Sequence, residues 1–279
     1  MTLEELYKEL RSSLSEADAR YVLQKRTGIT HAGLIGDSKQ AIEPTILEQI
    51  QADLKQYNEG IPLSRLYGER EFWGMHFALS PNTLDPRPDT ETLVEAVVKR
   101  FKENPPKSIL DLGTGSGCIL IALLCEFPEA KGVGIDLSEE ALQTAKENAQ
   151  KNYVGDRATF LQGNWTESIY ESFDLVVSNP PYIAKSVIQN LDESVKNHDP
   201  ILDLEGGEDG LQAYKEIFSD LFRVLNSGGR AFFEIGFDQE ESTRRLSEES
   251  RFSVISTYAD LAGHVRVLEL MSLNSNGDK

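Results

Sequence analysis

The sequence predicts a doubly wound, mostly parallel α/β domain behind a small helical region. Three observations lead to this prediction. Short apolar segments alternate with helical patterns after residue 90, a glycine-rich turn joins the first of those strands to a helix, and the residues before about position 60 carry helical spacing only. The 279 residues are enough for one large domain and a smaller one.

The first part of the chain is predicted to be helical. A proline at position 44 is typical of a helix start, and Gly60 ends that run. Two short segments around Gly74 predict a hairpin, and the prolines that follow mark a boundary. We therefore predict a helical domain with a hairpin linker over residues 1–77 and an α/β domain over residues 78–279. The helical spacing lies in residues 3–10, 19–23 and 44–54, and the hairpin strands are Glu69–Phe72 and His76–Leu79.

The second part alternates between strands and helices. Thr90 and Ser138 are placed to cap two of the helices. The last two strands have little between them, which predicts an antiparallel pair added to a parallel sheet. The predicted strands are Ser108–Leu112, Gly132–Asp136, Ala158–Leu161, Phe173–Val177, Arg230–Ile235, Phe252–Tyr258 and Val265–Met271.

A glycine-rich loop follows the first strand of the α/β domain. In open parallel sheets the ligand site lies beyond the carboxyl ends of the strands, where this loop falls. A P-loop needs a lysine and a hydroxyl residue after its last glycine, and Cys118 and Ile119 exclude it. Cys118 also breaks the dinucleotide fingerprint. The pattern is instead typical of S-adenosylmethionine enzymes, and it reads Asp111-Leu112-Gly113-Thr114-Gly115-Ser116-Gly117.

Asp136 ends the next strand, 23 residues after Gly113. A carboxylate at this position can accept hydrogen bonds from both hydroxyl groups of a ribose. The loop and Asp136 together predict a binding site for a nucleoside cofactor.

Asn179-Pro180-Pro181-Tyr182 follows the fourth strand of the domain. The nitrogen of an amide or of an exocyclic amine is a poor nucleophile, because its lone pair is delocalised into the adjacent π-system. The Asn179 side-chain oxygen and the Pro180 carbonyl can each accept one N–H of such a group. Tyr182 can stack on its flat face. This segment therefore predicts a site that methylates nitrogen, with Asn179, Pro180 and Tyr182 as its catalytic residues.

The chain resembles the HemK/PrmC protein-(glutamine N5) methyltransferases nearly from end to end, although the N-terminal helices match only in character. The resemblance rests on short motifs spread along the sequence. They are Gly60-Ile61-Pro62-Leu63, Tyr67-Gly68, Glu71-Phe72-Trp73-Gly74, Pro86-Arg87-Pro88-Asp89-Thr90-Glu91, the Asp111–Gly117 loop, Ser178-Asn179-Pro180-Pro181-Tyr182-Ile183, Asp199-Pro200, Gly206-Gly207-Glu208-Asp209-Gly210-Leu211 and Glu234-Ile235-Gly236.

The resemblance implies a fold, a substrate and a set of site residues. The fold is that of class I S-adenosylmethionine-dependent methyltransferases, with a seven-stranded sheet. The substrates are class 1 peptide chain release factors, methylated on the glutamine of their Gly-Gly-Gln loop, and the helical domain is expected to bind them. The cofactor residues implied are Gly113, Thr114, Gly115, Ser116, Gly117, Asp136, Trp165 and Asn179, and the substrate residues are Asn179, Pro180, Pro181 and Tyr182.

Three positions depart from the family pattern. Asp85 stands where an apolar residue is expected, and Asp203 where a small apolar residue is usual. Asn164 replaces an aspartate that often precedes the tryptophan, and it can still accept a hydrogen bond through its oxygen. None of these changes removes a residue assigned to the chemistry.

The Asn-Pro-Pro-Tyr motif also serves adenine N6 methylation in nucleic acids, and a related family methylates a ribosomal protein on glutamine. The net charge of −18 disfavours a phosphate-rich partner and favours a basic protein. The stretch Pro86–Glu91 differs from the Pro-Arg-Ser-Pro of the ribosomal-protein enzymes. A binding module without activity is the third alternative, and the intact Asn179 and Tyr182 argue against it.

The remaining expectations concern location and chemistry. The acidic, amphipathic start and the lack of a long apolar run predict a cytoplasmic protein with no membrane partner.

The two cysteines and four histidines show no metal-ligand spacing. Direct transfer needs no general base, since the product can lose its extra proton afterwards. His198 is a candidate proton acceptor, although its position favours a loop residue.

Overall fold

The structure is a computed structural model that describes residues 1–29, 31–36 and 38–273. The chain divides into two compact units, Met1–Gly68 and Glu69–Lys279. The sequence-based boundary lies nine residues later, between positions 77 and 78. The difference concerns the hairpin. Phe72 and Phe77 are buried in the core of the second unit, and the Asn148 side chain is hydrogen-bonded to the Ala78 backbone.

The first unit is helical and encloses its own apolar core. Thr2 and Glu5 form a capping box at the first helix, and Gly28 ends the second helix in a left-handed conformation. On the buried side of the fourth helix, the carboxylate of Asp53 accepts two hydrogen bonds of 2.6 Å from Arg26 and one of 2.8 Å from Tyr67. The helices are α1 (Leu3–Leu10), α2 (Glu16–Thr27), α3 (His31–Gly36), α4 (Pro44–Asn58) and α5 (Leu63–Tyr67).

The second unit begins with an antiparallel hairpin and continues as an α/β domain. Its strands are β1 (Glu69–Phe72), β2 (Met75–Ala78), β3 (Ser108–Leu112), β4 (Lys131–Asp136), β5 (Ala158–Gln162), β6 (Phe173–Ser178), β7 (Leu225–Glu234), β8 (Phe252–Ala259) and β9 (Val265–Ser272). Its helices are α6 (Glu91–Arg100), α7 (Cys118–Glu126), α8 (Glu139–Lys151), α9 (Lys185–Ile188), α10 (Glu193–His198), α11 (Gln212–Val224) and α12 (Glu240–Glu249).

The described residues form a seven-stranded sheet with the order β5-β4-β3-β6-β7-β9-β8. All its pairings are parallel except those of β9, which runs antiparallel to both β7 and β8. The predicted final hairpin is therefore confirmed. The chain runs from β3 outwards to β5 and then returns to β6 on the other side of β3. This reversal opens a crevice at the carboxyl ends of β3 and β6, where ligands bind in such sheets.

Apolar side chains cover both faces of this sheet. One buried cluster includes Leu120 and Leu123 of α7 together with the hairpin, and the other includes Phe218 and Leu221 of α11.

The helix α12 is not predicted from apolar spacing, because its buried positions are the hydroxyl residues Thr243 and Ser247. Among the described residues, no helix combines the length and apolar character needed to span a bilayer.

Candidate active site

The glycine loop connects β3 to α7 through a series of left-handed residues. Gly113, Gly115 and Gly117 have φ values of 72°, 53° and 80°. A side chain is disfavoured at each of them, because a Cβ crowds the following carbonyl in this conformation. The backbone N–H groups of Gly113 and Thr114 both donate to the carbonyl of Ile135, each over 2.9 Å. These bonds hold the loop against the carboxyl end of β4.

Trp165 lies directly against this loop. A Cβ built on Gly113 would be 3.3 Å from Cζ3 of the Trp165 ring, which is closer than ordinary contact. Trp165 itself has a φ of 48°, and its indole N–H donates to Oε2 of Glu216 over 2.9 Å. A bulky residue in the left-handed region is strained, and strain of this kind concentrates at functional sites. The indole thus forms one wall of the site beside the glycine loop.

Asp136 is held by backbone donors from two sides. Its Oδ2 accepts from the N–H of Gly115 over 2.8 Å, and its Oδ1 accepts from the N–H of Ser138 over 2.9 Å. Burial raises the pKa of Asp136, and these backbone hydrogen bonds oppose the rise. Each oxygen keeps a further lone pair, so the carboxylate can still accept from a ligand.

Asp111 lies beneath the loop and is fully buried. Its Oδ2 accepts from the Thr114 hydroxyl over 2.6 Å, whereas its Oδ1 has no hydrogen-bond partner among the described residues. Burial raises the pKa of Asp111 to about 7, and the nearby charge of Asp136 adds to this effect. Asp111 was part of the loop pattern but not one of the predicted site residues.

A cavity of about 510 Å³ opens beside these groups. Five of the predicted cofactor residues line it: Gly113, Gly115, Asp136, Trp165 and Asn179. Sequence reasoning did not identify the other lining residues, most of which follow the ends of β4 and β5 or lie in two loops. Apart from Pro181, they are Asn82, Leu84, Ile135, Leu137, Ser138, Glu139, Glu140, Gln162, Gly163, Pro200, Leu202 and Asp203.

Three predicted cofactor residues lie behind the cavity wall. Thr114 and Ser116 are buried, and Thr114 donates to Asp111. Gly117 is at the start of α7, where a Cβ would be 3.0 Å from Ile121 and 3.1 Å from Ala145. The structure therefore gives these residues a part in the shape of the loop.

Asn179 comes directly after β6, on the edge of the cavity. Its Nδ2 donates to Oγ1 of Thr90 over 3.1 Å, which leaves Oδ1 as the atom that can accept from a ligand. Thr90 occupies the predicted cap position of α6, but its side chain makes no capping hydrogen bond. Instead, the hydroxyl group orients the Asn179 amide.

Pro181 also lines the cavity, whereas Pro180 and Tyr182 are not among its lining residues. Pro180 is buried. The Tyr182 hydroxyl lies 3.4 Å from Oε1 of the buried Glu234 at the end of β7. Burial and the charge of Glu234 raise the pKa of Tyr182 well above its usual range, so the hydroxyl stays protonated at neutral pH.

A second loop supports the backbone of this motif. A Cβ on Gly206 would be 2.8 Å from the Pro181 carbonyl, and one on Gly210 would be 2.5 Å from the Tyr182 carbonyl. The Gln239 Nε2 donates to the Tyr182 carbonyl over 2.9 Å and to that of Gly210 over 3.2 Å. The two glycines belong to a motif that was recognised in the sequence. Nothing in the sequence indicated that Gln239 contacts this loop.

The described residues contain no group of three or more histidine, cysteine, aspartate or glutamate side chains placed to share a metal ion. His198, the candidate proton acceptor, is the last residue of α10 and is not among the lining residues. The arrangement brings together a nucleoside-sized cavity and an oriented amide oxygen. Such a site can hold an acceptor nitrogen next to a bound cofactor.

Comparison with known proteins gives matches to both units. A family described as "PrmC N-terminal domain" matches residues 3–68, and one described as "Methyltransferase domain" matches residues 103–269. The chain is 41% identical to the release factor glutamine methyltransferase of Caulobacter vibrioides, over 90% of this chain and 87% of that protein. It is 40% identical to the enzyme of the same name from Agrobacterium fabrum, over 90% of this chain and 88% of that protein.

Solved structures show a likeness in fold. A methyltransferase from Pyrococcus furiosus superposes with a TM-score of 0.54 and 18% sequence identity. The superposition covers 81% of this chain and 98% of that one. At this identity the likeness concerns the fold alone.

Proposed function

The chain belongs to the release factor glutamine methyltransferases, and we propose that it methylates the N5 amide nitrogen of the glutamine in the Gly-Gly-Gln loop of class 1 peptide chain release factors. Its larger unit has the class I fold of S-adenosylmethionine-dependent methyltransferases, and S-adenosylmethionine is the methyl donor.

The residues around the cavity suit this cofactor. Asp136 offers lone pairs for a ribose, while Leu137 and the Trp165 ring offer apolar surface for a flat base. Among the described lining residues none is a lysine or an arginine, as expected for a ligand without phosphate. S-adenosylmethionine supplies a methyl group on a positively charged sulfur. We assign its binding to Gly113, Gly115, Asp136, Trp165 and Asn179, with Thr114, Ser116 and Gly117 shaping the loop.

The hydrogen bond from Asn179 to Thr90 is the observation that carries the proposal. It directs Oδ1 of Asn179 as an acceptor at the cavity edge. This oxygen and the Pro180 carbonyl would each accept one N–H of the glutamine amide, and Pro181 and Tyr182 would frame its plane. The nitrogen lone pair is then held in one direction. Positioning of this kind can account for most of the rate increase when the leaving group is already good.

The protein substrate needs a larger contact than one glutamine. We assign that contact to the helical unit, Met1–Gly68, which matches the PrmC N-terminal domain. The net charge of −18 favours the approach of a basic protein and disfavours nucleic acid. A release factor substrate would place the reaction in the cytoplasm.

The test is a transfer assay with radiolabelled S-adenosylmethionine. The acceptors are an unmodified class 1 release factor, its Gln-to-Ala loop variant, a ribosomal protein preparation and adenine-rich DNA. We expect label on the release factor alone, and none on the loop variant. Asn179→Ala is expected to lower kcat/KM by about 100-fold or more, because the acceptor amide loses its orientation.

Asn104→Ala is the matched control, since Asn104 is exposed in the turn after α6 and outside the cavity lining. It should keep the activity of the unchanged protein. Label that appears only on DNA, or only on a ribosomal protein, would contradict the proposed substrate. An Asn179→Ala protein with full activity would contradict the proposed site.

A further inference from the structure

Arg87 and Asp199 belong to two sequence motifs and have no part in the site described above. Arg87 lies in the motif of residues 86–91, and Asp199 precedes Pro200 in the other motif. The two residues are 112 positions apart in the chain and form an ion pair, in which Nη2 of Arg87 donates to Oδ2 of Asp199 over 2.5 Å. The ion pair therefore joins two segments that are distant in sequence.

Both of these segments contribute to the wall of the cavity. In the first segment the lining residues shortly precede Arg87, and in the second they directly follow Asp199. The second segment, residues 200–203, forms a strap along the cavity. The lining residues of the two segments are Asn82, Leu84, Pro200, Leu202 and Asp203. The ion pair thus connects two parts of one cavity wall.

The strap is anchored at both ends. At its start, the Asp199 side chain is only 5% exposed, and its Oδ1 also accepts from the N–H of Asp85 at the longer distance of 3.4 Å. At its end, the carbonyl of Leu204 accepts from the N–H of Ile183 over 3.0 Å, directly after the Asn-Pro-Pro-Tyr motif. The first anchor depends on side chains, so a substitution of Arg87 can release the start of the strap without changing the motif.

The strap has no apolar interior that could fix its position. Its 3-10 turn, Ile201–Asp203, contains no buried residue. Ile201 is 57% exposed and Leu202 is 75% exposed, and of these two only Leu202 lines the cavity. An apolar side chain in such a place loses contact with water when a ligand covers it, which favours binding. The position of Leu202 over the cavity therefore depends on the two anchors of the strap.

We propose that Arg87 and Asp199 are positioning residues for cofactor binding, whose ion pair holds the strap so that Leu202 packs on S-adenosylmethionine. The proposal rests on the proposed function, in which this cavity binds the cofactor. Neither partner of the ion pair is among the lining residues, so the pair acts through the strap. Loss of the guanidinium leaves the buried carboxylate without this cation, which favours a shift of Asp199 towards water.

The first experiment breaks the ion pair and measures S-adenosylmethionine binding by calorimetry. Arg87→Met keeps most of the apolar stem and removes the charge, and we expect the Kd to increase about fivefold or more. Arg87→Lys keeps a cation near Asp199 and should bind within about threefold of the unchanged protein. S-adenosylhomocysteine should show the same order of affinities, because the strap contacts the ligand through an apolar side chain.

Arg100→Met is the matched control for the loss of an ion pair. Arg100 pairs with Glu269 in the same unit, and their side chains are 40% and 1% exposed, compared with 37% for Arg87 and 5% for Asp199. Neither Arg100 nor Glu269 lines the cavity. This variant should lose thermal stability, as Arg87→Met does, and keep the Kd within about twofold of the unchanged protein.

The second experiment tests the strap itself through two neighbouring exposed side chains, whose removal leaves the core intact. Leu202→Ala should increase the Kd about threefold or more, whereas Ile201→Ala should leave it unchanged. In the double variant Arg87→Met/Leu202→Ala, the Kd should match that of Arg87→Met within about twofold. A released strap no longer holds Leu202 on the ligand, so the two losses are not additive.

Steady-state kinetics on the release factor distinguish positioning from a loss of folded protein. In Arg87→Met, the KM for S-adenosylmethionine should rise with the Kd. The kcat at saturating cofactor and the KM for the release factor should change less than about twofold. Partial unfolding would instead lower kcat, because it reduces the amount of active enzyme.

Three results would each overturn the inference: equal affinities in Arg87→Met and Arg100→Met, equal affinities in Leu202→Ala and Ile201→Ala, or additive losses in the double variant. The affinities need no acceptor protein, so they decide the role of the strap even if the unchanged protein does not methylate the release factor. That second result would overturn the proposed substrate alone. If the release factor is methylated and Arg87→Met binds the cofactor as tightly as the unchanged protein, only the inference fails.

Discussion

Gly113 combines two constraints that each exclude a side chain. Its φ of 72° disfavours every other residue type, and the space beside its Cα is filled by the Trp165 ring. Gly28 has the same φ of 72°, but nothing lies within 4 Å of where its Cβ would be. A substitution of Gly28 therefore tests the effect of backbone strain alone, whereas a substitution of Gly113 also changes the contact with Trp165.

Gly113→Ala is expected to weaken S-adenosylmethionine binding about tenfold or more, because the ring or the loop must shift from the cavity wall. Gly28→Ala carries the same backbone strain, roughly 1–2 kcal/mol, at a position outside the cavity lining. It should lower the thermal stability and leave the cofactor affinity unchanged. Calorimetric titration of both variants measures the difference, and equal affinities would show that the Trp165 contact has no effect on binding.

Individual site residues were predictable where their position follows from strand order. Asp136 is the last residue of β4 and Asn179 directly follows β6, and both line the cavity because the carboxyl ends of parallel strands meet at one edge. The significance of Asp111 and Glu234 was not predictable in this way. The environment of each residue depends on its burial and on neighbours that are distant in sequence. The pattern of apolar residues along the chain does not show that an acidic residue is buried.

At the scale of elements, α12 is the longest of the helices that the sequence did not predict, and the others include α5, α9 and α10. Helix prediction depends on an apolar stripe, and α12 directs Thr243 and Ser247 inwards. Elements with apolar faces were predicted within a few residues, as in α4, β3 and β9. The start of β7 was predicted five residues late, because its register with β6 is irregular between Phe173 and Leu175 and its first half carries two glycines.

The residue before α12 connects this helix to the proposed site. Gln239 donates to the carbonyls of Tyr182 and Gly210, and its Oε1 accepts from the N–H of Gly236 over 3.0 Å. These three backbone groups lose their partner in Gln239→Ala. Gln239→Glu keeps the acceptor for Gly236, removes the N–H donors and adds a negative charge that faces the two carbonyls.

We expect Gln239→Ala to lower the free energy of unfolding by about 1–3 kcal/mol, because buried backbone groups lose their hydrogen bonds. Both Gln239→Ala and Gln239→Glu should lower kcat, since the Tyr182 carbonyl is released in each. Urea unfolding and steady-state kinetics measure the two effects. Unchanged kcat in both variants would show that the position of Tyr182 does not depend on α12.

For the whole molecule, the sequence predicted two parts and their order along the chain. The boundary was placed at the prolines after the hairpin, whereas the division falls between Gly68 and Glu69. Composition and proline spacing could not show that Phe72 and Phe77 are buried with α7. Long-range packing of this kind decides to which unit a short hairpin belongs.

Stability should depend on pH through the buried acids. The pKa of Asp111 is raised by burial from 3.8 to about 7 in the folded protein. Between these two values the folded state binds more protons than the unfolded state. The contribution of Asp111 to the free energy of unfolding therefore falls as the pH rises through this window, and it stays low above pH 7.

Asp111→Asn removes this titration while preserving the size of the side chain. The free energy of unfolding of the variant, relative to the unchanged protein, should increase by roughly 2–3 kcal/mol between pH 5 and pH 8, since one pKa unit corresponds to about 1.4 kcal/mol. Contributions from Glu234 and the remaining acids are common to both proteins and cancel. Urea unfolding at the two pH values measures the change, with Asp156→Asn at an exposed position as the control for the loss of one negative charge. A difference that stays constant with pH would mean that Asp111 is ionised in the folded protein throughout this range, so that burial is compensated by the loop around it.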